Sequence, residues 1–135
     1  MFSHVTIAVS DLHRAVSFYD KALEPLGVRQ CYYDAEKRIA RYRGADRLFP
    51  QLMLVEPFNG AAANPGNGPM MAFQCESRKQ VDELHELALT LGARDEGEPG
   101  PRERYHENFY GGYVRDLDGN KVCFVCHDPA WVGSR

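Results

Sequence analysis

Residues 4–26 read HVTIAVSDLHRAVSFYDKALEPL, and this stretch decides the fold. Val5, Ile7 and Val9 alternate with His4, Thr6 and Ala8, which is typical of a strand with one apolar face. The apolar residues that follow recur at spacings of three and four, as an amphipathic helix requires: Leu12, Ala15, Val16, Tyr19, Leu23 and Leu26. Gly27 then favours the left-handed conformation that ends a helix. The stretch therefore predicts a strand that leads directly into a helix.

The same plan returns in the second half of the chain. Met71, Phe73 and Cys75 form one face of a second predicted strand. A second helix opens at Ser77 with a capping-box pattern and ends before Gly92, and its apolar face is Val81, Leu84, His85, Ala88 and Leu91. The strand starts at His4 and Met70 are 66 residues apart, and the helix ends at Gly27 and Gly92 are 65 apart. A nearly constant offset of this kind indicates a duplicated unit.

Strand-like stretches follow each helix, at residues 30–33, 39–43 and 51–56 in the first copy and 94–95, 109–115 and 121–126 in the second. We therefore expect an α+β protein of two βαβββ modules, forming a single domain over residues 1–135. Module one covers about 1–58 and module two about 70–128, joined by a linker of small residues at 59–69. Residues 96–104 contain two glycines and two prolines and predict a long loop, a candidate lid.

Composition excludes several classes of protein. The chain has 135 residues, 44% of them hydrophobic, and a formal net charge of -3, which does not suit a nucleic-acid-binding surface. No apolar run is long enough to cross a bilayer. Because residues 1–10 show no secretion signal, we expect a cytoplasmic protein with four reduced cysteines. Cys123 and Cys126 lie in a predicted strand, where positions three apart point to opposite faces, so a CxxC redox or zinc pair is not expected.

The order and spacing of these motifs resemble the vicinal-oxygen-chelate superfamily of glyoxalases, bleomycin resistance proteins and dioxygenases. The resemblance is carried by residues 4–12 leading into Ser17-Phe18-Tyr19, and by residues 113–120 before the final strand. It implies a cupped mixed sheet built from two βαβββ modules with the helices outside. It also implies a small-molecule ligand inside the cup, a homodimer, and in typical members a divalent metal.

The superfamily's metal-ligand positions correspond here to His4, Met53, Met70 and Cys123. Only His4 keeps a usual ligand type, and a divalent centre prefers imidazole together with carboxylate. We therefore expect no metal or other cofactor at this position, and we expect Met53, Met70 and Cys123 to contact substrate instead. Strand alternation predicts that His4 faces away from Val5 and Ile7, into the cup. His4 is then either an ordinary pocket histidine or a catalytic base and ligand anchor.

A second cluster, residues 105–110, is similar to a segment in a bacterial glyoxalase-like subgroup of the superfamily. His106 and Tyr110 are candidate catalytic residues for proton transfer, and Tyr105 and Asn108 are candidates for substrate binding. The alternative is a surface loop whose aromatic side chains cover a sheet edge.

The remaining histidines and a pair of arginines have simpler expectations. We expect His13 and His127 to face solvent and His85 to make a contact between helix and sheet. Arg41 and Arg43 share one face of a predicted strand, where they either bind a carboxylate or phosphate or form a solvated or dimer-facing surface.

Two functions from different classes compete. One is a glyoxalase- or dioxygenase-like enzyme, with lyase or dioxygenase chemistry on a small oxygenated metabolite. The other is a metal-free protein that binds a drug or metabolite, as bleomycin resistance proteins do. A metal-independent isomerase or lyase with His4 or His106 as base is a third possibility. The sequence does not decide whether the chain is an enzyme.

Overall fold

The structure, a computed structural model, describes residues 1–127 and contains two compact units. Unit one comprises residues 1–67 and 118–120, and unit two comprises residues 68–117 and 121–127. Unit one holds β1 (His4–Ala8), α1 (Leu12–Ala22), a 3₁₀ turn (Glu24–Leu26), β2 (Val28–Asp34), β3 (Ile39–Gly44) and β4 (Gln51–Val55). Unit two holds β5 (Met71–Gln74), α2 (Arg78–Thr90), β6 (Arg94–Pro101), β7 (Tyr110–Arg115) and β8 (Lys121–Cys126).

The two sheets have the same topology, which confirms the predicted pair of βαβββ modules. Unit one has the strand order β1-β4-β3-β2 and unit two the order β5-β8-β7-β6. In each sheet the first strand pairs with the last in parallel, and the other pairings are antiparallel. The fold class is thus α+β, with one helix and one mixed sheet in each unit.

In both units the helix covers one face of its sheet. In unit one, Tyr42 of β3 is fully buried and its hydroxyl donates to Asp20 of α1 at 2.7 Å. In unit two, a Cβ added to Gly112 of β7 would lie 3.2 Å from His85 of α2, so this face of β7 touches the helix. We call the opposite side of each sheet its open face. Because side chains alternate along a strand, Arg41 and Arg43 lie on the open face of unit one, and Gly111, Tyr113 and Arg115 on that of unit two.

Polar side chains fix the corner where β1 runs into α1. Asp11 caps the helix by accepting from the Arg14 amide at 3.0 Å, and Glu56 accepts from the Leu12 amide at 3.2 Å. These bonds satisfy donors that a helix N-terminus leaves without partners.

Residues 118–120 hold the end of β1 and the residues after it. Asn120 donates to the carbonyl oxygen of Ala8 at 2.9 Å, and Asp118 accepts from the Ser10 amide at 3.0 Å.

The start of α2 confirms the predicted capping box. Ser77 Oγ accepts from the Gln80 amide at 3.1 Å, and Gln80 Oε1 accepts in return from the Glu76 amide at 2.8 Å. After the helix, Gly92 has a φ of 106°, which favours glycine over residues with a side chain.

One element differs from the sequence expectation. The predicted loop at residues 96–104 is largely strand, because β6 continues to Pro101. β6 lies at the edge of its sheet, where a proline is tolerated, and its pairing with β7 shifts register between Asp95 and Gly97 and again between Gly97 and Gly100. These bulges accommodate the glycines and prolines that suggested a loop. The irregular segment that remains is residues 102–109.

The prediction that Cys123 and Cys126 point to opposite faces of one strand is confirmed. Cys123 packs with Tyr113 and Val125 in a buried cluster, whereas Cys126 is three positions on and points to the other face of β8. All four cysteines are free thiols. Within residues 1–127, neither helix has the length and apolar character needed to span a membrane.

Candidate functional site

A groove of about 450 Å³ opens over the sheet of unit two, and every residue that lines it belongs to that unit. Its aromatic lining is Tyr105, Phe109 and Tyr113. Its charged lining is Glu96, Arg102, Arg104 and Lys121. Met70 completes one side. The groove therefore combines apolar walls with a few polar groups, the usual character of a small-molecule site.

Glycines in β6 and β7 create the room for the aromatic rings. A Cβ at Gly97 would lie 3.0 Å from Cδ2 of Tyr113, and a Cβ at Gly111 would lie 3.0 Å from Cε1 of Phe109. These distances are tighter than nine in ten real Cβ contacts, so a larger residue at either position would require the ring to shift by a few tenths of an ångström. The register shifts in β6 place Gly97 opposite Tyr113 and so expose the ring to the groove.

The floor of the groove is Tyr113, and the buried Cys123 packs beside this ring. Burial raises the pKa of the Cys123 thiol to about 11, against opposing effects of a hydrogen bond from Tyr113 and of the charges on Arg102 and Lys121. Burial also raises the pKa of Tyr113. Both groups are thus neutral near pH 7, and Cys123 supplies a thiol rather than a thiolate.

Two cations lie against the ring of Tyr113. The Arg102 guanidinium carbon is 5.4 Å from the ring centroid, and Lys121 Nζ is 5.3 Å from it. Arg102 is held in place by donating to the carbonyl oxygens of Glu98 at 2.7 Å and Pro101 at 3.2 Å. The carboxylate of Glu96, in contrast, accepts from Arg115 at 3.2 Å.

Tyr105 and Arg104 form the rim. Arg104 Nη2 donates to the Tyr105 hydroxyl at 2.9 Å, and its guanidinium carbon lies 4.9 Å from the Tyr105 ring centroid. The Tyr105 ring packs against Phe109 with centroids 4.8 Å apart. Tyr105 is 53% exposed, so it is accessible to a ligand.

His106 lies behind Phe109 and is not among the residues that line the groove. Its Nδ1 accepts from the Asn108 amide at 3.1 Å, which places the ring proton on Nε2. Nε2 therefore donates to Nδ1 of His127 at 2.9 Å, and the two rings stack with centroids 5.1 Å apart. The expectation that His127 simply faces solvent was wrong, because this bond and the Phe109 ring, 5.4 Å away, hold it half-buried.

Tyr110 lies on the helix-covered side of the sheet. Its hydroxyl donates to Asp82 of α2 at 2.7 Å, and this bond raises the pKa of Tyr110. It therefore points away from the open face that carries Tyr113. His85 is buried on the same side and its Nε2 lies 3.0 Å from Oδ1 of Asp95, which confirms the predicted contact between helix and sheet.

On unit one, the strand pattern of the first module is confirmed. Met53 pairs with Thr6 and with Arg41, so these three residues share the open face with His4. His4 is exposed, and its Nδ1 is 2.6 Å from Ser3 Oγ. The guanidinium of Arg41 lies 4.2 Å from the ring centroid of Tyr32.

The donors at the inherited metal positions do not fit a divalent metal in either unit. In unit one, His4 pairs with Gln51, an amide, and Met53, a thioether, pairs with Thr6 on the same face. In unit two, Met70 offers a thioether and Cys123 a protonated thiol. Divalent centres prefer imidazole and carboxylate donors. No group of three or more His, Cys, Asp or Glu side chains with metal-binding geometry occurs within residues 1–127.

Of the candidate residues named from sequence, Met70 and Tyr105 line the groove, Cys123 lies beneath it, and Asn108 fixes His106 in the adjoining turn. Sequence reasoning did not single out Arg102, Phe109, Tyr113 or Lys121 as site residues. A signal was present for Tyr113 and Lys121, since both share the strand face of Cys123 by alternation. Arg102 carried no such signal, because the register shifts in β6 determine where it lies.

Comparisons with known proteins agree with this fold. The family model of the Glyoxalase/Bleomycin resistance protein/Dioxygenase superfamily matches residues 1–124. A comparison with curated proteins gives no match. A glyoxalase/bleomycin resistance protein from Albidiferax ferrireducens T118 is 34% identical, with a TM-score of 0.83, covering 93% of this chain and 98% of that one.

Two further solved structures share the fold at lower identity. A putative glyoxalase from Bacillus halodurans is 25% identical with a TM-score of 0.68, covering 93% of this chain and 95% of that one. A glyoxalase-related enzyme from Fulvimarina pelagi is 19% identical with a TM-score of 0.72, covering 93% and 87%. The match to the family model spans nearly all of the described residues, and the chain therefore belongs to the glyoxalase/bleomycin resistance protein/dioxygenase superfamily.

Proposed function

We propose that this chain binds a small organic molecule in the groove of unit two, without a chelated divalent metal. The observation that carries this proposal is a groove of about 450 Å³ that three aromatic rings and four charged side chains line together. Its volume lies within the range of small-molecule pockets, roughly 300–1,000 Å³. Ring faces provide contact area, and the charged groups provide orientation.

The floor of the groove suits binding by contact rather than by reaction at the thiol. Cys123 is fully buried and its neighbours on the same face are Tyr113 and Val125. A buried, protonated thiol is a poor nucleophile and a poor metal ligand. In this proposal Met70 and Tyr105 contact the bound molecule, and Cys123 supports the ring on which it rests.

The candidates on the open face of unit one have a separate proposed role. His4 keeps Nε2 available for a ligand, because its hydrogen bond to Ser3 uses Nδ1. Met53 lies on the same face and offers a soft apolar contact. We propose that His4 anchors a polar group of a ligand and that Met53 contacts it.

The test is ligand binding under strict control of metal. Protein purified without added metal is analysed for its elemental content, and a panel of small organic compounds is screened by ligand-observed NMR with and without EDTA. We expect less than stoichiometric Fe, Ni, Zn or Mn, and binding that EDTA does not change. Stoichiometric metal that is lost in His4→Ala, together with binding that EDTA abolishes, would contradict the proposal.

A second candidate is a metal-independent enzyme of the same superfamily. The observation that favours it is the hydrogen-bonded pair of His106 and His127, both edge-on to Phe109, which lines the groove. Two imidazoles joined by a hydrogen bond can accept or relay a proton. A time course of each bound compound, followed by NMR, tests this candidate. Conversion that disappears in His106→Gln while binding persists would establish catalysis, and an unchanged compound would favour the binding protein.

Membership of the superfamily also supports a homodimer in the cytoplasm as a proposal. Light scattering at micromolar concentration measures the assembly directly. A mass of about twice 15.3 kDa is expected, and a monomer mass would remove this part of the proposal.

A further inference from the structure

We propose that the groove of unit two selects an organic anion, in which a carboxylate or phosphate is attached to a flat ring. Lys121 and Arg102 bind the anionic group, and Tyr113 and its aromatic neighbours contact the ring. This inference rests on the proposed function, because it assigns a ligand class to the same groove.

The first support is the charge of the lining. Arg102, Arg104 and Lys121 contribute three cations, and Glu96 contributes the single carboxylate. Arg115 offsets much of the negative charge of that carboxylate, because it donates a hydrogen bond to Glu96 at 3.2 Å. This hydrogen bond is the main reason that the pKa of Glu96 is below its usual value. The groove is thus positive although the whole chain has a formal net charge of -3.

The second support is the unused bonding capacity of the two cations. Lys121 is partly buried and has no carboxylate oxygen within 4.0 Å among residues 1–127, although its charge contributes to the lowered pKa of Glu96. Arg102 uses two of its N–H bonds on backbone carbonyls, and three of the five in a guanidinium remain for a ligand. Guanidinium and ammonium groups bind carboxylate and phosphate through charge-assisted hydrogen bonds.

Cation–π contact with Tyr113 does not by itself account for this arrangement. The two distances, 5.4 Å for Arg102 and 5.3 Å for Lys121, lie near the outer limit of about 6 Å at which such contacts stabilise. Two like charges on one ring also repel each other. An anion bound to either cation would offset that repulsion.

The aromatic walls determine the other half of the ligand. Tyr105 and Phe109 pack together with centroids 4.8 Å apart, and Tyr113 forms the floor beside them. Aromatic rings prefer to stack in offset or edge-to-face arrangements, so a flat ring suits these walls better than a branched aliphatic group. A ring with an attached anion therefore satisfies both the walls and the cations.

The experiment compares probes of the same shape and different charge. Ligand-observed NMR titrations of the full-length chain use benzoate, the neutral benzamide and the cationic benzamidinium, with phenyl phosphate as a second anion. We expect benzoate or phenyl phosphate to bind at least tenfold more tightly than benzamide, and benzamidinium to bind most weakly. Added salt should weaken the binding of the anions and leave that of benzamide unchanged.

Variants locate the effect. Lys121→Met should weaken benzoate binding roughly tenfold, equivalent to about 1.4 kcal/mol, and leave benzamide binding unchanged. Arg102→Met should act in the same direction. Lys79→Met is the matched control, because Lys79 is an exposed lysine of α2 in the same unit, paired with Glu83. It removes the same charge and should change no affinity.

The outcomes separate this inference from the proposed function. If benzamide and benzoate bind equally and Gly97→Ala weakens both, the groove binds small molecules and the preference for anions is wrong. If Lys121→Met and Lys79→Met weaken benzoate equally, the effect comes from overall charge and the inference is also wrong. If no probe binds at millimolar concentration, both the inference and the proposed function fail.

Discussion

Gly97 and Tyr113 face each other across β6 and β7, and a Cβ on Gly97 would lie 3.0 Å from Cδ2 of the Tyr113 ring. A side chain at position 97 would require the ring to shift by a few tenths of an ångström from its place on the floor of the groove. The identity of one residue in an edge strand thereby determines the shape of the site.

The first prediction follows from this contact. Gly97→Ala should push the Tyr113 ring toward the groove, weaken ligand binding several-fold, and lower the free energy of unfolding by about 1–3 kcal/mol, as overpacking does. Calorimetric titration and urea unfolding measure the two effects. Gly44→Ala is the control, because its Cβ would meet only the flexible side chains of Arg47, at 3.1 Å, and Asp46, at 3.4 Å. Unchanged affinity in Gly97→Ala would show that the ring is not part of the site.

Tyr110→Phe distinguishes the two faces of the sheet of unit two. Because the Tyr110 hydroxyl donates to Asp82 on the helix side, its removal should cost about 0.5–1.5 kcal/mol of stability and leave ligand affinity unchanged. Urea unfolding and the same titration measure this. Loss of binding or turnover without loss of stability would instead support the catalytic role that the sequence predicted for Tyr110.

Asn120→Ala tests the corner after β1. Asn120 is buried and donates to the carbonyl oxygen of Ala8 at 2.9 Å, so its removal should lower the free energy of unfolding by about 1–3 kcal/mol. Asn59→Ala is the matched control, since Asn59 makes an exposed turn bond to the Ala61 amide at 2.9 Å. Its effect should stay within about 0.5 kcal/mol. Equal effects of the two substitutions would contradict a special role for Asn120.

A pH dependence follows from Asp95. The Gly97 amide, and after it His85, hold the pKa of Asp95 below its usual value in the folded chain. The unfolded chain therefore binds this proton first as the pH falls. The contribution of Asp95 to stability is present above the unfolded pKa, near 4, and is lost as the pH falls through the lower folded value.

Asp95→Asn should accordingly reduce the loss of stability between pH 5 and pH 2, measured by urea unfolding at a series of pH values. Glu107→Gln, which removes an exposed carboxylate from the segment 102–109, serves as control and should leave the profile unchanged. A profile that is the same in wild type and Asp95→Asn would show that Asp95 is not stabilised by folding.

The sequence predicted those features that depend on local periodicity. Alternation along β1 and β8 correctly placed His4 with Met53 and separated Cys123 from Cys126, because side-chain direction in a strand follows from position alone. Ser77 and Gly92 marked the ends of α2 through capping chemistry that is equally local.

Features that depend on strand pairing could not be obtained in this way. β6 contains glycines and prolines that resemble a loop, and only pairing with β7 through two register shifts makes it a strand. Those shifts bring Arg102 onto the Tyr113 ring. The position of Arg102 in the groove is thus a consequence of tertiary pairing, and no periodicity in residues 94–104 indicates it.

The thiols provide the last prediction. Cys31 is exposed, whereas Cys75, Cys123 and Cys126 are buried, and burial raises the pKa of Cys75 to about 12 and of Cys123 to about 11. Because the thiolate is the reactive form, DTNB at pH 7.5 should label one thiol per chain rapidly and the other three only slowly. Cys31→Ser should remove the rapid phase, and Cys123→Ser should leave it intact.

The same labelling also reports on the groove. Benzoate at saturating concentration should slow the labelling of Cys123 further, because the ligand rests on the Tyr113 ring that covers this thiol. A rapid phase that persists in Cys31→Ser and disappears in Cys123→Ser would show that the floor of the groove is open to solvent and would contradict the buried pair of Tyr113 and Cys123.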